Sequence, residues 1–138
     1  MSNGFNFEEH TILTEDGYIL TAHRIPCSLT ECQKEPVMLQ HGLLDNSATW
    51  IIFNKTYDLP YILAKQGYDV WMTNNRGNIH SLGHTDPIDH NWRDTFSAFW
   101  DFTYDELAKY DVRAHLDYIT KTTGSDKLIY VGHSQGTT

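Results

Sequence analysis

The chain has 138 residues, room for one domain, and its 10 Lys+Arg against 18 Asp+Glu leave a net charge of −8. That balance excludes the basic face a nucleic acid or an anionic membrane surface would select. Hydrophobic residues at 40% and aromatics at 13% supply a core and exclude global disorder, while no apolar run is long enough to span a bilayer.

In chain order, His10 to Leu13 is a short β-branched run, followed by the turn signal Asp16-Gly17 and the alternating stretch Tyr18 to Ile25. Together they predict an antiparallel hairpin closed by Pro26, which cannot donate to a ladder. Met1 to His10 has neither the basic start nor the apolar stretch of a signal peptide. Cys27 and Cys32 are too few for a disulfide scaffold; pairing and free thiols are both compatible with the sequence.

Pro36 to Gln40 is a continuous apolar run, as expected of a strand buried on both faces, and it ends at His41-Gly42. Asp58 to Gln66 predicts a helix, with Asp58 placed to cap it and Pro60 in the first turn. Tyr68 to Thr73 is again a strand, followed by the loop Asn74 to Asn78, in which Arg76 is expected to tie the loop to neighbouring carbonyls. Tyr104 to Thr123 predicts a long helix opened by a Thr103/Glu106 capping box, with Leu107, Asp111, Ala114 and Tyr118 on one face. Lys127 to Val131 is a last buried-type strand. Apolar strands separated by helices predict an α/β protein, a mostly parallel sheet with an antiparallel hairpin at its N-terminal edge.

The chemistry concentrates in Gly132-His133-Ser134-Gln135-Gly136, a G-x-S-x-G directly after a strand. A sharp strand-to-helix turn lifts a serine hydroxyl above the sheet, and residues two positions away on either side must be small to avoid collision. Such a turn makes Ser134 a nucleophile and aims the Gln135 N–H beside it. An oxyanion hole needs a second donor, and Leu43 N–H in His41-Gly42-Leu43-Leu44 is the candidate. His41 is expected to brace that loop by hydrogen bonding rather than act as a base.

Other clusters read as structure. His80, His84 and His90 with Asp86 and Asp89 are expected in a solvated loop, since Gly83 and Pro87 break any helical ligand spacing; no metal and no cofactor is expected. Phe96, Phe99, Trp100 and Phe102 are expected to form an aromatic core cluster under the long helix. Asn54-Lys55-Thr56 is an N-glycosylation sequon, making Asn54 a candidate acceptor.

Together these motifs resemble the acid lipases, the gastric and lysosomal lipases of the α/β-hydrolase fold. The matching pieces run from Thr14-Glu15-Asp16-Gly17-Tyr18 through Leu39-Gln40-His41-Gly42-Leu43-Leu44, Gly67-Tyr68-Asp69-Val70-Trp71, Arg76-Gly77-Asn78 and Ala108-Lys109-Tyr110-Asp111 to Tyr130-Val131-Gly132-His133-Ser134-Gln135-Gly136. Ile79 to Phe96 and the two cysteines depart from the pattern. The resemblance implies Ser134 as nucleophile, Leu43 and Gln135 N–H groups as oxyanion donors, and neutral lipid esters such as acylglycerols or sterol esters as substrates. It implies secretion or lysosomal delivery, leaves contact with a lipid interface open, and gives no oligomeric state.

In this fold the chain order is Ser, then Asp or Glu, then His, and only four residues follow Ser134. The expectation is therefore the N-terminal part, residues 1–138, of a single lipase domain truncated after its nucleophile elbow. Its acid and base would lie beyond Thr138, it would be inactive alone, and the strand Lys127 to Val131 would be left without an outer partner. The alternative is a non-catalytic remnant or lipid-binding fragment of an acid lipase.

Overall fold

In the computed structural model, which describes residues 5–27, 32, 34–88 and 98–138, the strands β1 (Glu8–Leu13), β2 (Tyr18–Ile25), β3 (Val37–Gln40), β4 (Val70–Thr73), β5 (Gly83–His84) and β6 (Ile129–Gly132) form one sheet. Its order is β1-β2-β4-β3-β6, with β5 pairing with β2. β1 and β2 form the expected antiparallel hairpin, running from Glu8↔Arg24 to Leu13↔Ile19. Gly17 at φ +95 supplies the turn geometry that other residues resist. β2 lies antiparallel to β4, whereas β4, β3 and β6 are mutually parallel neighbours. The mixed α/β architecture is thus the expected one.

Every residue of β3 and β4 is buried, as continuous apolar runs in a covered parallel sheet should be. The period of two divides them between two cores. Val37, Leu39, Val70 and Met72 join Ala64 of α1 (Leu59–Lys65) on one face. Met38 and Trp71 join Phe99 and Ile119 on the other. Phe99, Trp100 and Phe102 pack in or against this second core, as expected; Phe96 lies outside the described residues.

Several local details differ from the sequence reading. Asp58 precedes α1 but its side chain does not cap it; its Oδ1 accepts the Phe53 N–H at 3.2 Å instead. The long helix is a composite: α2 (Tyr104–Glu106), a π-helical segment (Leu107–Val112) and α3 (Arg113–Thr123). Its capping box is present, with Thr103 N–H donating to Glu106 Oε2 at 2.7 Å. Of the face read from 3.6-residue spacing, Asp111 is buried as expected, but His115 and Ile119 share the core with it while Leu107, Ala114 and Tyr118 are only half-buried, the π segment having offset the two ends of the helix. His84 is not solvated loop: it sits in β5, its Nε2 donating to Asp16 O at 3.1 Å and its Nδ1 accepting the Asp86 N–H at 2.9 Å. Asp89 and His90 lie outside the described residues. Among those described, no group of metal ligands forms, and no helix is long and apolar enough to cross a membrane. Cys27 and Cys32 are joined in a disulfide with Cα atoms 5.7 Å apart.

Candidate functional site

Because β3, β4 and β6 run in parallel, the loops leaving their C-terminal ends gather at one edge of the sheet. This is where ligands bind in open α/β sheets. These loops carry His41 to Asn46, Asn74 to Asn78 and His133 to Thr138.

The third loop has the geometry that G-x-S-x-G predicts. Ser134 sits at φ +53, in the left-handed region, and a single 3₁₀ turn, Ser134–Thr137, follows. A Cβ on Gly132 would overlap the carbonyl of Gly136, so the two glycines meet across the turn. A Cβ on Gly136 would lie 2.7 Å from Gln40 O and 2.8 Å from His41 O. The turn is tied to β3 by His133 N–H donating to Gln40 O at 3.0 Å, and closed by Tyr130 Oη–H donating to Gly136 O at 2.7 Å. Ser134 itself is exposed.

The first loop meets the elbow at Gly42, where a Cβ would come within 2.9 Å of Ser134 Cβ. Any side chain at position 42 would therefore push Ser134 aside. Leu43 and Gln135 both line a cavity of about 320 Å³ with Leu44, Ile79, Trp100 and Phe102. Leu44, 99% exposed, is the other non-glycine residue with positive φ among the described residues, at +57. Leu44 lines this cavity and Ser134 adjoins it through Gln135, and the sequence offers no signal for the strain at Leu44.

His41 is buried in the brace role expected of it. Its Nδ1–H donates to Gly42 O at 2.8 Å, and its Nε2 accepts the Asn75 N–H at 3.1 Å. A nitrogen that accepts carries no proton, so the ring is neutral. Burial holds its pKa below the ordinary value, against the opposing pull of the Gly42 bond and the Asp45 charge.

The second loop is fixed by a buried polar network. Asn74 Oδ1 accepts N–H groups from Ser47 at 2.9 Å and Asn78 Nδ2 at 3.0 Å, while Asn74 Nδ2 donates to Thr21 O at 3.0 Å. His115 Nε2–H donates to Asn74 O at 3.2 Å, and complete burial pushes that imidazole down to about 4. Arg76 binds carboxylates, not the carbonyls expected from the sequence. Its Nε and backbone N–H each reach Asp111 at 2.8 Å, and Nη1 reaches Asp16 at 2.7 Å. Its guanidinium also lies 3.7 Å over the Tyr18 ring. Burial works against the Arg76 charge, but the two carboxylates outweigh it and hold the guanidinium above its usual pKa. Burial pushes Asp111 up, with Arg76 opposing it.

Asn54 of the sequon is exposed in the turn before α1, its Oδ1 accepting the Thr56 N–H at 2.9 Å.

Known proteins place this arrangement. The sequence model described as "alpha/beta hydrolase fold" matches residues 35–138, and that of a "partial alpha/beta-hydrolase lipase region" matches residues 1–54. Human lysosomal acid lipase/cholesteryl ester hydrolase is 46% identical over 143 residues, covering 98% of this chain and 34% of that protein. Mouse gastric triacylglycerol lipase is 44% identical, with 98% and 34% covered, and Lipase 1 of Drosophila melanogaster 45%, with 98% and 29%. The chain thus spans about a third of the length of these relatives. An esterase of Pyrococcus furiosus superposes with a TM-score of 0.62 at 20% identity, over 96% of this chain and 44% of that one. A strand–serine–turn elbow facing a glycine loop, on a sheet of this order, agrees with both comparisons: the chain belongs to the α/β-hydrolase fold family, and its sequence relatives are lipases, the gastric and lysosomal acid lipases among them.

Proposed function

We propose that these residues form the nucleophile and oxyanion half of a serine lipase acting on neutral lipid esters. Ser134 Oγ attacks the ester carbonyl, and the N–H groups of Leu43 and Gln135 receive the charge that develops on its oxygen. The observation that carries this reading is Ser134 in the left-handed region between Gly132 and Gly136, with Gly42 packed against its Cβ. The cavity beside it has an apolar wall of Leu43, Leu44, Ile79, Trp100 and Phe102 that suits an acyl chain, and a polar wall that includes Asp45, Asn46 and Asn78.

The base and its acid partner come from sequence beyond residue 138. In support, the buried imidazoles near the site are committed elsewhere: His41 to Gly42 and Asn75, His115 to Asn74, and His23 to Ser47 at 2.8 Å. The disulfide and the exposed sequon at Asn54 fit a secreted or lysosomal protein. The test is hydrolysis of a p-nitrophenyl ester and of a triacylglycerol emulsion by the full-length enzyme. Ser134→Ala is expected to lower kcat by a factor on the order of 10⁴ or more with the fold retained. Hydrolysis undiminished in that variant overturns the assignment.

A further inference from the structure

His41 has a job in the reaction beyond bracing its loop. The peptide joining Gly42 to Leu43 presents two groups, the Gly42 carbonyl and the Leu43 N–H, and one rigid plane holds them pointing in opposite directions. No cis peptide interrupts it. His41 Nδ1–H holds the carbonyl end at 2.8 Å. Fixing one end of a rigid plane fixes the other, which is the proposed oxyanion donor. The ring is held in turn: its Nε2 accepts from Asn75 N–H at 3.1 Å and from Asn78 Nδ2 at 3.3 Å. Asn75 adjoins Arg76, whose own N–H is anchored on buried Asp111. The line of contacts therefore runs from the π segment to the donor.

We propose that His41 is a positioning residue for the oxyanion hole: as the neutral Nδ1–H tautomer it orients the Gly42–Leu43 peptide, and through it the Leu43 N–H. This rests on Ser134 being the nucleophile. An exposed loop gains most from such a clamp. Leu43 and Leu44 are 65% and 99% exposed, so packing of their side chains does not hold the Leu43 end of this peptide in place. A donor aimed by its own carbonyl needs no reorganisation as charge develops, which is where oxyanion donors gain their effect.

The two bonds of the ring can be separated by substitution. An asparagine amide reaches where Nδ1 stood, and a glutamine amide where Nε2 stood. In the full-length enzyme, His41→Asn is expected to keep kcat within about fivefold of the parent, whereas His41→Gln and His41→Ala lose about 30- to 100-fold, with KM within twofold throughout. Equal kcat in all four proteins, or a loss in His41→Asn matching that in His41→Ala while both melt normally, overturns the proposal. Nitrogen-15 NMR of the unsubstituted enzyme decides independently of any variant's folding. His41 is expected with its proton on Nδ1, and the reverse tautomer overturns the clamp. An unsubstituted enzyme without Ser134-dependent hydrolysis would instead sink the serine-lipase reading and leave the tautomer result standing.

Discussion

The two halves of the site are built on opposite plans. The side of the proposed oxyanion donor Leu43, around β3 and β4, is held by a buried polar network in which Arg76, Asp111, Asn74 and His115 are each less than a tenth exposed. The Ser134 side hangs on β6, which pairs with β3 alone among the described strands and leaves Ile129 and Tyr130 each 41% exposed. There the geometry comes from excluded volume: Gly132 against Gly136, Gly136 against the β3 carbonyls, and Gly42 against Ser134. The lesson is a division of labour. Hydrogen bonds and charge hold the loop of the proposed donor Leu43, and the absence of side chains sets the place of Ser134.

Substitutions should separate the two plans. The largest effect is expected at the charged centre of the first. Asp111→Ala leaves the Arg76 guanidinium, only 1% exposed, short of one carboxylate and its backbone N–H without an acceptor. A loss of about 3–5 kcal/mol in urea unfolding of the full-length enzyme is expected. A loss under about 1 kcal/mol would mean that Asp16 alone suffices and that the π segment is not needed for the network.

His115 comes next and carries a pH signature. Its folded pKa, about 4, lies below the unfolded value, so the stability it contributes is complete above about pH 6.5 and is lost as pH falls toward 4. The integrated loss is on the order of 3 kcal/mol. His41 and His23, also lowered chiefly by burial, act in the same direction, whereas Asp111, raised by burial, acts in the opposite one. Comparison with His115→Gln cancels these shared groups. The stability gap between parent and variant should narrow as the pH is lowered from 7 to 4.5, and a constant gap would show that His115 does not titrate this way.

On the second plan the expected loss is in rate. Gly132→Ala drives a Cβ into the Gly136 backbone. It should lower kcat by on the order of 100-fold, because displacement of about 1 Å at the nucleophile costs that much. Stability should change far less than in Asp111→Ala. Equal damage to both would erase the distinction between the halves. The smallest effect is expected at Leu44, 99% exposed at φ +57. Leu44→Gly relieves left-handed strain against a larger unfolded-state entropy, for a net gain of about 0.5 kcal/mol by thermal melting.

Much of this was legible in the sequence because it is local. The hairpin announced itself through Asp16-Gly17, the β3 and β4 strands through unbroken apolar runs, the capping box through Thr103 and Glu106, and the elbow through two glycines around Ser134. What stayed hidden depends on distance along the chain. The partners of Arg76 lie 60 and 35 residues away, so its bonding to carboxylates rather than carbonyls has no local signal. The π segment shifts the helix face by part of a turn and buries His115 beside Asp111, a position that helical periodicity leaves off the predicted face. β5 is two residues long and exists only through pairing with Tyr18 and Ile19. Leu44 gives no warning of positive φ, since the left-handed region normally selects glycine or asparagine.

The central claim, that Ser134 is the nucleophile of an ester hydrolase, is tested most directly by covalent trapping. The full-length enzyme is treated with diethyl p-nitrophenyl phosphate, digested, and the peptides are sequenced by mass spectrometry. The account predicts one diethylphosphoryl group on Ser134, acquired in step with the loss of esterase activity. Inactivation with the label on another residue, and Ser134 unmodified, would contradict it.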